Sequence, residues 1–183
     1  MDLRQHIRDV PDFPKKGIVY FDITPLLGDP AAFATSIDAL AERFAECGAT
    51  KILGAESRGF IFGAPLAYKL GIGFVPVRKP GKLPYKTTSV TYDLEYGTDT
   101  LEMHVDALAP DDKVLLIDDL LATGRTMNGV IQLVHKTGAS IVGIGFLVEL
   151  GFLDGAAKLD GIPRQSLLTL DRKSTRLNSS HYS

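Results

Sequence analysis

The 183-residue chain has a single cysteine, little net charge and no long apolar run. One cysteine, Cys47, excludes an internal disulfide and fits a reduced compartment. A formal net charge of −2 argues against nucleic acid or an anionic membrane surface as the main partner. No apolar segment approaches the length needed to cross a bilayer, and residues 1–10 are too charged for a secretory signal. These absences predict a cytoplasmic globular protein with no nucleic-acid or membrane partner.

Two common cofactor signatures are missing as well. No histidine or cysteine cluster has the spacing of metal ligands, so we expect no zinc site. No GxGxxG motif follows the first strand, which makes a dinucleotide-binding fold a poor candidate. The hydrophobic content of 45% and charged content of 23% are ordinary for a globular protein. The length suits one domain, which we place at residues 1–170.

The apolar pattern alternates along the chain between segments typical of strands and segments typical of helices. Strands are predicted at residues 51–55, 73–78, 113–118 and 140–148, and helices at residues 30–47, 59–70 and 126–136. This alternation predicts an α/β fold with a central, mostly parallel sheet flanked by helices.

Two segments depart from this pattern. Residues 79–97 are rich in glycine, proline, lysine and threonine, and alternating residues around them predict a hairpin. We therefore expect a long flap at about residues 79–105. Residues 171–183, DRKSTRLNSSHYS, are polar and lack periodicity. We interpret them as a non-native addition or a disordered tail and exclude them from the fold.

The segment VLLIDDLLATGRT at residues 114–126 carries the clearest chemical signal. Its four apolar residues indicate a strand buried on both faces, followed by two carboxylates, a small turn and a helix start. A helix N-terminus offers unpaired amides and partial positive charge to a phosphate, and Asp118 and Asp119 can accept hydrogen bonds from a vicinal diol. The segment therefore indicates a sugar-phosphate site, with the phosphate on Ala122, Thr123, Gly124, Arg125 and Thr126.

This segment resembles the ribose-5-phosphate signature of the type I phosphoribosyltransferases. Four further stretches resemble the members of that family that act on adenine: FPKKGIVYFDITPLL (13–27), GAESRGFIFGAPLA (54–67), VPVRKPGKLP (75–84) and YDLEYGTDTLEMHVDAL (92–108). The resemblance runs from about residue 10 to residue 170. It implies the fold of that family, with a flexible flap and a small N-terminal hood.

The resemblance also implies a reaction. A pentosyltransferase of purine salvage would move the 5-phosphoribosyl group from phosphoribosyl pyrophosphate to N9 of adenine, giving AMP and pyrophosphate. Magnesium is expected to arrive with phosphoribosyl pyrophosphate, because Mg²⁺ usually binds through substrate oxygens, waters and one or two carboxylates. A homodimer is expected from the family alone.

Basic residues in two places are candidates for the pyrophosphate. Arg58 follows a predicted strand and opens a helix, which suits a catalytic cation at the leaving group. By resemblance Arg78, Lys79 and Lys82 also reach the pyrophosphate. A surface arginine and a solvated basic loop are the alternatives, and for Lys82 the two readings are evenly balanced.

The base-binding residues are expected from the resemblance. It puts Tyr20 where an aromatic ring stacks on adenine, and the main chains of Val19 and Phe21 where they read its polar edge. Leu150 is a candidate wall, although ordinary core packing is the alternative for all four and the better one for Leu150. Glu95 matches a catalytic glutamate that handles a proton at purine N7, with a cross-strand ion pair as the alternative.

Two residues, Arg125 and Tyr85, depart from the family, and two other functions compete. Tyr85 replaces a glycine that is common after Leu-Pro, and we expect it to stiffen or reshape the flap. Arg125 replaces a glycine of the usual loop, so a requirement for positive φ there would strain the loop and weaken phosphate binding. A regulatory protein that binds phosphoribosyl pyrophosphate without turnover would need an added nucleic-acid-binding element or would lack the flap acid. A transferase for hypoxanthine or guanine would be expected to carry a lysine where this chain has LVEL at residues 147–150.

Overall fold

A computed structural model describes residues 1–159 and 161–171 of the chain. The predicted tail at residues 171–183 therefore lies outside the described residues, apart from Asp171. Within the described part, no helix is both long and apolar enough to cross a membrane. The elements in chain order are β1 (Arg8–Pro11), β2 (Val19–Asp22), α1 (Thr24–Gly28), α2 (Pro30–Phe44), β3 (Lys51–Ala55), α3 (Arg58–Leu70), β4 (Gly73–Val77), β5 (Thr87–Asp93), β6 (Thr98–His104), β7 (Lys113–Leu121), α4 (Arg125–His135), β8 (Ser140–Leu150) and β9 (Arg164–Leu170).

The central sheet has five strands in the order β4–β3–β7–β8–β9, and every neighbouring pair is parallel. The predicted α/β fold is confirmed. An antiparallel pair, β1 and β2, forms the small N-terminal sheet that the resemblance implied. Because all five central strands run in one direction, their carboxyl ends meet at one edge, where ligands of such sheets bind.

Side chains alternate across the sheet and feed two hydrophobic cores. One core lies under α2 and α3 and includes Leu40, Ile52, Phe62, Leu115 and Ile117. The other lies under α4 and the β5–β6 hairpin and includes Leu53, Leu116, Ile131, Phe146 and Met103. Successive residues of β3 and β7 thus face opposite cores, as a strand covered on both faces requires.

Helix α2 shows why the local sequence predicts an element boundary well. The Asp29 carboxylate accepts hydrogen bonds from the amides of Ala31 at 3.0 Å and Ala32 at 3.1 Å. Pro30, the first helical residue, needs no such partner. The helix ends at Phe44, earlier than predicted, and the chain then makes a short turn.

The predicted hairpin in the flap is confirmed, but most of it is packed against the protein. Val90, Tyr92, Leu101 and Met103 are buried in the core under α4. Backbone hydrogen bonds between Arg78 and Glu102, at 2.9 and 2.7 Å, join β6 to the chain leaving β4. Residues 95–97 at the tip of the hairpin are exposed, whereas Leu94 packs against this core.

Two predicted boundaries near the sheet edge were wrong. Strand β7 continues to Leu121, three residues beyond its predicted end, because β8 also runs on and pairs with it as far as Glu149. Asp118 and Asp119 therefore lie within the strand. Strand β9, which the apolar pattern did not indicate, pairs with β8 and completes the sheet.

Candidate active site

A cavity of about 410 Å³ opens where β3 and β7 end and α3 and α4 begin. The residues that line it are Glu56, Ser57, Arg58, Lys79, Asp118, Asp119, Leu120, Leu121, Ala122, Thr123, Gly124, Arg125, Thr126 and Met127. The fold thus brings the predicted sugar-phosphate segment and the predicted pyrophosphate arginine to one cavity. The Glu56–Ser57 peptide bond in its wall is cis.

The phosphate loop, residues 122–126, turns tightly into helix α4. Gly124 has a φ of +80°, and a Cβ there would lie 2.3 Å from the carbonyl oxygen of Gly155, so only glycine fits. Helix α4 begins at Arg125 without a side-chain cap. Its first amides have no acceptor within the helix and remain available to an anion in the cavity.

The condition for strain at Arg125, a positive φ at that residue, is not met. Positive φ falls on Gly124, whereas Arg125 is the first residue of a regular helix. Arg125 lines the cavity, and its buried Nε has no hydrogen-bond partner among the described residues. The charged side chain therefore lies at the cavity beside the first amides of α4, a place that suits an anion.

The two carboxylates at the cavity floor have different surroundings. Asp119 is buried and forms an ion pair with Arg58, whose Nε lies 2.6 Å from Oδ2. This pairing raises the pKa of Arg58 further. Asp118 Oδ1 accepts a hydrogen bond from the Asp119 amide at 2.8 Å. Burial, and then the neighbouring Asp119 charge, raise the pKa of Asp118 well above its ordinary value.

Glu56 organises the predicted pyrophosphate cations, and the sequence did not single it out. Its carboxylate accepts hydrogen bonds at 2.6 Å from both Lys82 Nζ and the Lys79 amide, and Arg78 Nε lies 3.4 Å away. Burial raises the pKa of Glu56, but these hydrogen bonds outweigh it and the pKa is lowered. Lys79 lines the cavity directly, whereas Arg78 and Lys82 flank it through Glu56.

A second, smaller cavity of about 210 Å³ adjoins the first and shares Arg58, Asp119 and Leu120 with it. Its other lining residues are Tyr20, Phe21, Asp22, Ile23, Thr24, Leu27, Ile61 and Val148. The Tyr20 hydroxyl accepts a hydrogen bond from Arg58 Nη1 at 3.2 Å, so the aromatic side chain and the cation meet at the junction of the two cavities.

Five predicted site residues line neither cavity. Arg78 and Lys82 flank the larger cavity beside Glu56, and the other three are Val19, Leu150 and Glu95. Val19 and Leu150 pack against the hydrophobic core, and Val148, two residues before Leu150, lines the smaller cavity. Glu95 is exposed in the turn at residues 94–97. Of the lining residues not predicted, Asp22 follows Val19–Phe21 directly and Glu56 begins the ESRG stretch, so proximity to the quoted motifs was the available signal.

Comparisons with known proteins agree with this geometry. The family model for the phosphoribosyl transferase domain matches residues 25–160. The adenine phosphoribosyltransferase of Solidesulfovibrio magneticus is 68% identical over 170 residues, covering 93% of this chain and 99% of that protein. The same enzyme from Maridesulfovibrio salexigens is 66% identical over 170 residues, covering 93% of this chain and 100% of that protein.

Solved structures are similar over nearly the whole chain. A crystal structure of adenine phosphoribosyltransferase from Thermoanaerobacter pseudethanolicus has a TM-score of 0.89 and 53% identity, covering 92% of this chain and 98% of that one. The Saccharomyces cerevisiae enzyme, complexed with an imino-altritol bisphosphate and adenine, has a TM-score of 0.86 and 40% identity, covering 91% of this chain and 97% of that one.

Proposed function

The chain belongs to the phosphoribosyltransferase family, among its adenine phosphoribosyltransferases, and we propose that it transfers the 5-phosphoribosyl group from phosphoribosyl pyrophosphate to N9 of adenine. The products are AMP and pyrophosphate, and the reaction is a pentosyl transfer of purine salvage. One observation carries the proposal: a cavity with an anion-binding loop and a cavity with an aromatic wall join at Arg58 and Asp119. A phosphorylated sugar and a flat base would meet at that junction.

The phosphate loop holds the 5-phosphate and the acid pair holds the ribose. Amides at the start of α4, the hydroxyls of Thr123 and Thr126 and the Arg125 guanidinium are the donors offered to the phosphate. Asp118 and Asp119 accept hydrogen bonds from the two ribose hydroxyls. Their charge also favours the electron-poor ribose that forms as the bond from C1′ to the pyrophosphate oxygen breaks.

Cations stabilise the departing pyrophosphate. Arg58 and Lys79 face the cavity, and Arg78 and Lys82 stand beside it on Glu56. Since these groups are already in place, little reorganisation is needed as charge develops on the leaving group. Arg78 and Lys82 exchange the Glu56 carboxylate for pyrophosphate oxygens when the substrate binds.

Adenine occupies the smaller cavity, where Tyr20 and Phe21 form one side and Val148 another. Stacking on an aromatic ring contributes about 1–3 kcal/mol for a base. Main-chain groups of Val19 and Phe21 read the base edge, and Leu150 supports the wall from behind through the core.

We propose that the Glu95 carboxyl group exchanges the proton at purine N7. It reaches the base when the turn at residues 94–97 moves over the cavities. Glu95→Gln should lower kcat about 100- to 10,000-fold, the usual contribution of one general acid–base group, and leave KM for phosphoribosyl pyrophosphate unchanged. Unchanged kcat would remove Glu95 from the catalytic residues.

Magnesium fits this site as a companion of the substrate. Within the described residues no three His, Cys, Asp or Glu side chains converge on a common metal position. Asp118 and Asp119 line the cavity, and Mg²⁺ commonly combines one or two carboxylates with substrate phosphates and waters. When bound, the ion would neutralise part of the diphosphate charge.

We also propose that the protein is a cytoplasmic homodimer. Sedimentation of the purified protein at the mass of one chain would contradict the dimer.

A direct assay tests the proposed function. The purified protein is incubated with phosphoribosyl pyrophosphate, Mg²⁺ and either adenine, hypoxanthine or guanine, and the nucleotide product is identified. We expect AMP from adenine and no comparable product from the other two bases. Binding of phosphoribosyl pyrophosphate without any AMP would reject the enzyme and favour a regulatory protein.

A further inference from the structure

A row of four side chains runs from one end of the larger cavity to the other through the β5–β6 hairpin. Tyr92 and Asp99 are direct partners across the hairpin, and the Tyr92 hydroxyl lies 3.4 Å from Asp99 Oδ2. The Asp99 carboxylate accepts a hydrogen bond from Lys79 Nζ and another from the Thr100 amide at 2.9 Å. At the other end, the Thr126 side chain lies near the Tyr92 hydroxyl: burial raises the pKa of Tyr92, and Thr126 offsets part of that rise.

The middle of this row is held rigidly by the core. Tyr92 is only 7% exposed, and its ring lies against Gly129 of α4 so closely that a Cβ on Gly129 would approach the ring to 2.8 Å. A ring packed this tightly cannot turn, so its hydroxyl stays between Asp99 and Thr126. The two ends, Lys79 and Thr126, both line the cavity.

The row of side chains contributes little to the stability of the fold. The Lys79 side chain is 37% exposed and that of Asp99 is 28% exposed, and ion pairs of such exposure contribute little to folding. It contributes to binding affinity instead, because a lysine that is already held in place loses less rotamer freedom when it binds an anion.

We infer that Tyr92 and Asp99 are positioning residues, which fix Lys79 at the pyrophosphate end of the cavity. The inference rests on the proposed function. It adds to that function a support from the hairpin for one of the cations that meet the pyrophosphate.

The test uses Tyr92→Phe, which keeps the ring and removes only the hydroxyl. Calorimetric titration with inorganic pyrophosphate and Mg²⁺ should show Kd raised about 2- to 150-fold, the range that the interaction energies of coupled neighbours imply. KM for phosphoribosyl pyrophosphate should rise with it, while KM for adenine stays constant. Asp99→Asn should behave in the same way and serves as the second probe if Tyr92→Phe folds poorly.

A double-mutant cycle with Lys79→Met separates positioning from a general structural effect. In the Lys79→Met protein, Tyr92→Phe and Asp99→Asn should each change the pyrophosphate Kd less than about twofold, since the group they position is gone. Equal effects in both backgrounds, or no effect in the wild type, would overturn the inference.

Two matched controls complete the design. Tyr68→Phe alters a tyrosine that is 91% exposed on α3, and Asp93→Asn alters an exposed carboxylate of the same hairpin. Both should leave the pyrophosphate Kd unchanged, and a change equal to that of the test variants would overturn the inference. A wild type that binds pyrophosphate but makes no AMP would reject the proposed function and leave the coupling result standing.

Discussion

Arg58 is the residue on which both cavities depend. It pairs with the buried Asp119, donates to the Tyr20 hydroxyl and lines the two cavities at their junction. A delocalised guanidinium suits this place, because it can contact a carboxylate, a hydroxyl and a phosphate oxygen at once. The chemical step should therefore be more sensitive to Arg58 than the folded state is.

Arg58→Ala should lower kcat/KM about 30- to 1000-fold, the effect of losing about 2–4 kcal/mol of transition-state stabilisation. Its effect on the free energy of unfolding should stay near 1 kcal/mol, because the side chain is half exposed and solvent screens the pair. Steady-state kinetics and urea unfolding measure the two quantities. The control is Lys69→Ala, which alters another residue of α3 and removes its exposed ion pair with Asp38. A loss of turnover below threefold would contradict the role of Arg58.

Asp118 should make stability depend on pH with an unusual sign. Its pKa in the folded protein is raised above the ordinary 3.8, so the folded state binds the proton more tightly than the unfolded state. The ionised carboxylate therefore destabilises the fold near neutral pH, and this effect disappears as the pH falls towards the unfolded value.

Asp118→Asn should accordingly raise the free energy of unfolding at pH 7.5, and the gain should shrink as the pH approaches 4. Urea unfolding at several pH values measures this difference, with Asp111→Asn at an exposed position as the control. The same variant should lose turnover, because the ribose loses a charged acceptor. Lower stability of Asp118→Asn at pH 7.5 would show that the folded protein favours the charged form.

Residue identity indicated side chains that share the cavity, but it did not indicate their conformations. Asp118, Asp119 and Arg58 were recognised by chemistry and spacing, and the fold brings them together. The φ values of Gly124 and Arg125 depend on where α4 begins, and a single residue decides that. Glu56 was missed because its role depends on ion pairs with Lys82 and Arg78, which are distant in the sequence.

At the level of elements, the phosphate loop is supported from behind by a second tight segment. Gly155, after β8, approaches the loop so closely that a Cβ there would lie 2.3 Å from the Ala122 carbonyl oxygen and 3.0 Å from the Gly124 amide nitrogen. Both contacts are with backbone atoms, which cannot rotate away. The loop therefore keeps its shape through a glycine that is not part of it.

Gly155→Ala should force these two backbone segments apart. We expect a loss of about 1–3 kcal/mol in the free energy of unfolding, as for other overpacked sites, and a higher KM for phosphoribosyl pyrophosphate. Gly28→Ala is the matched control, since its φ is not positive and nothing lies within 4 Å of the added methyl group. Equal free energies of unfolding for the two variants would mean that the phosphate loop accommodates the added methyl group, which would contradict this prediction.

Elements with a complete local signal were predicted closely, and elements that depend on a partner were not. The apolar run of β3 and the Asp29–Pro30 start of α2 needed no distant residue. The extension of β7 past Asp118 exists because β8 continues alongside it, and β9 forms because β8 has a free edge to pair with. Hydrogen bonds between strands leave little trace in the pattern of either strand.

At the scale of the whole molecule, the parallel sheet explains why one site can serve two substrates. The ends of β3 and β7, adjacent in the sheet, deliver Arg58 and the acid pair to one edge. The N-terminal sheet brings Tyr20 over that edge, and the hairpin brings Asp99 and Tyr92 to its far side. The sequence motifs indicated Arg58, the acid pair and Tyr20 but not Asp99 or Tyr92, and the convergence of these parts follows from the strand order.

The most direct measurement is a crystal structure of the protein with AMP bound. It should show the 5-phosphate on the amides of residues 122–126, both ribose hydroxyls on Asp118 and Asp119, and adenine beside Tyr20 in the smaller cavity. A phosphate bound away from the start of α4, or an adenine outside the cavity that Tyr20 lines, would contradict the proposed site.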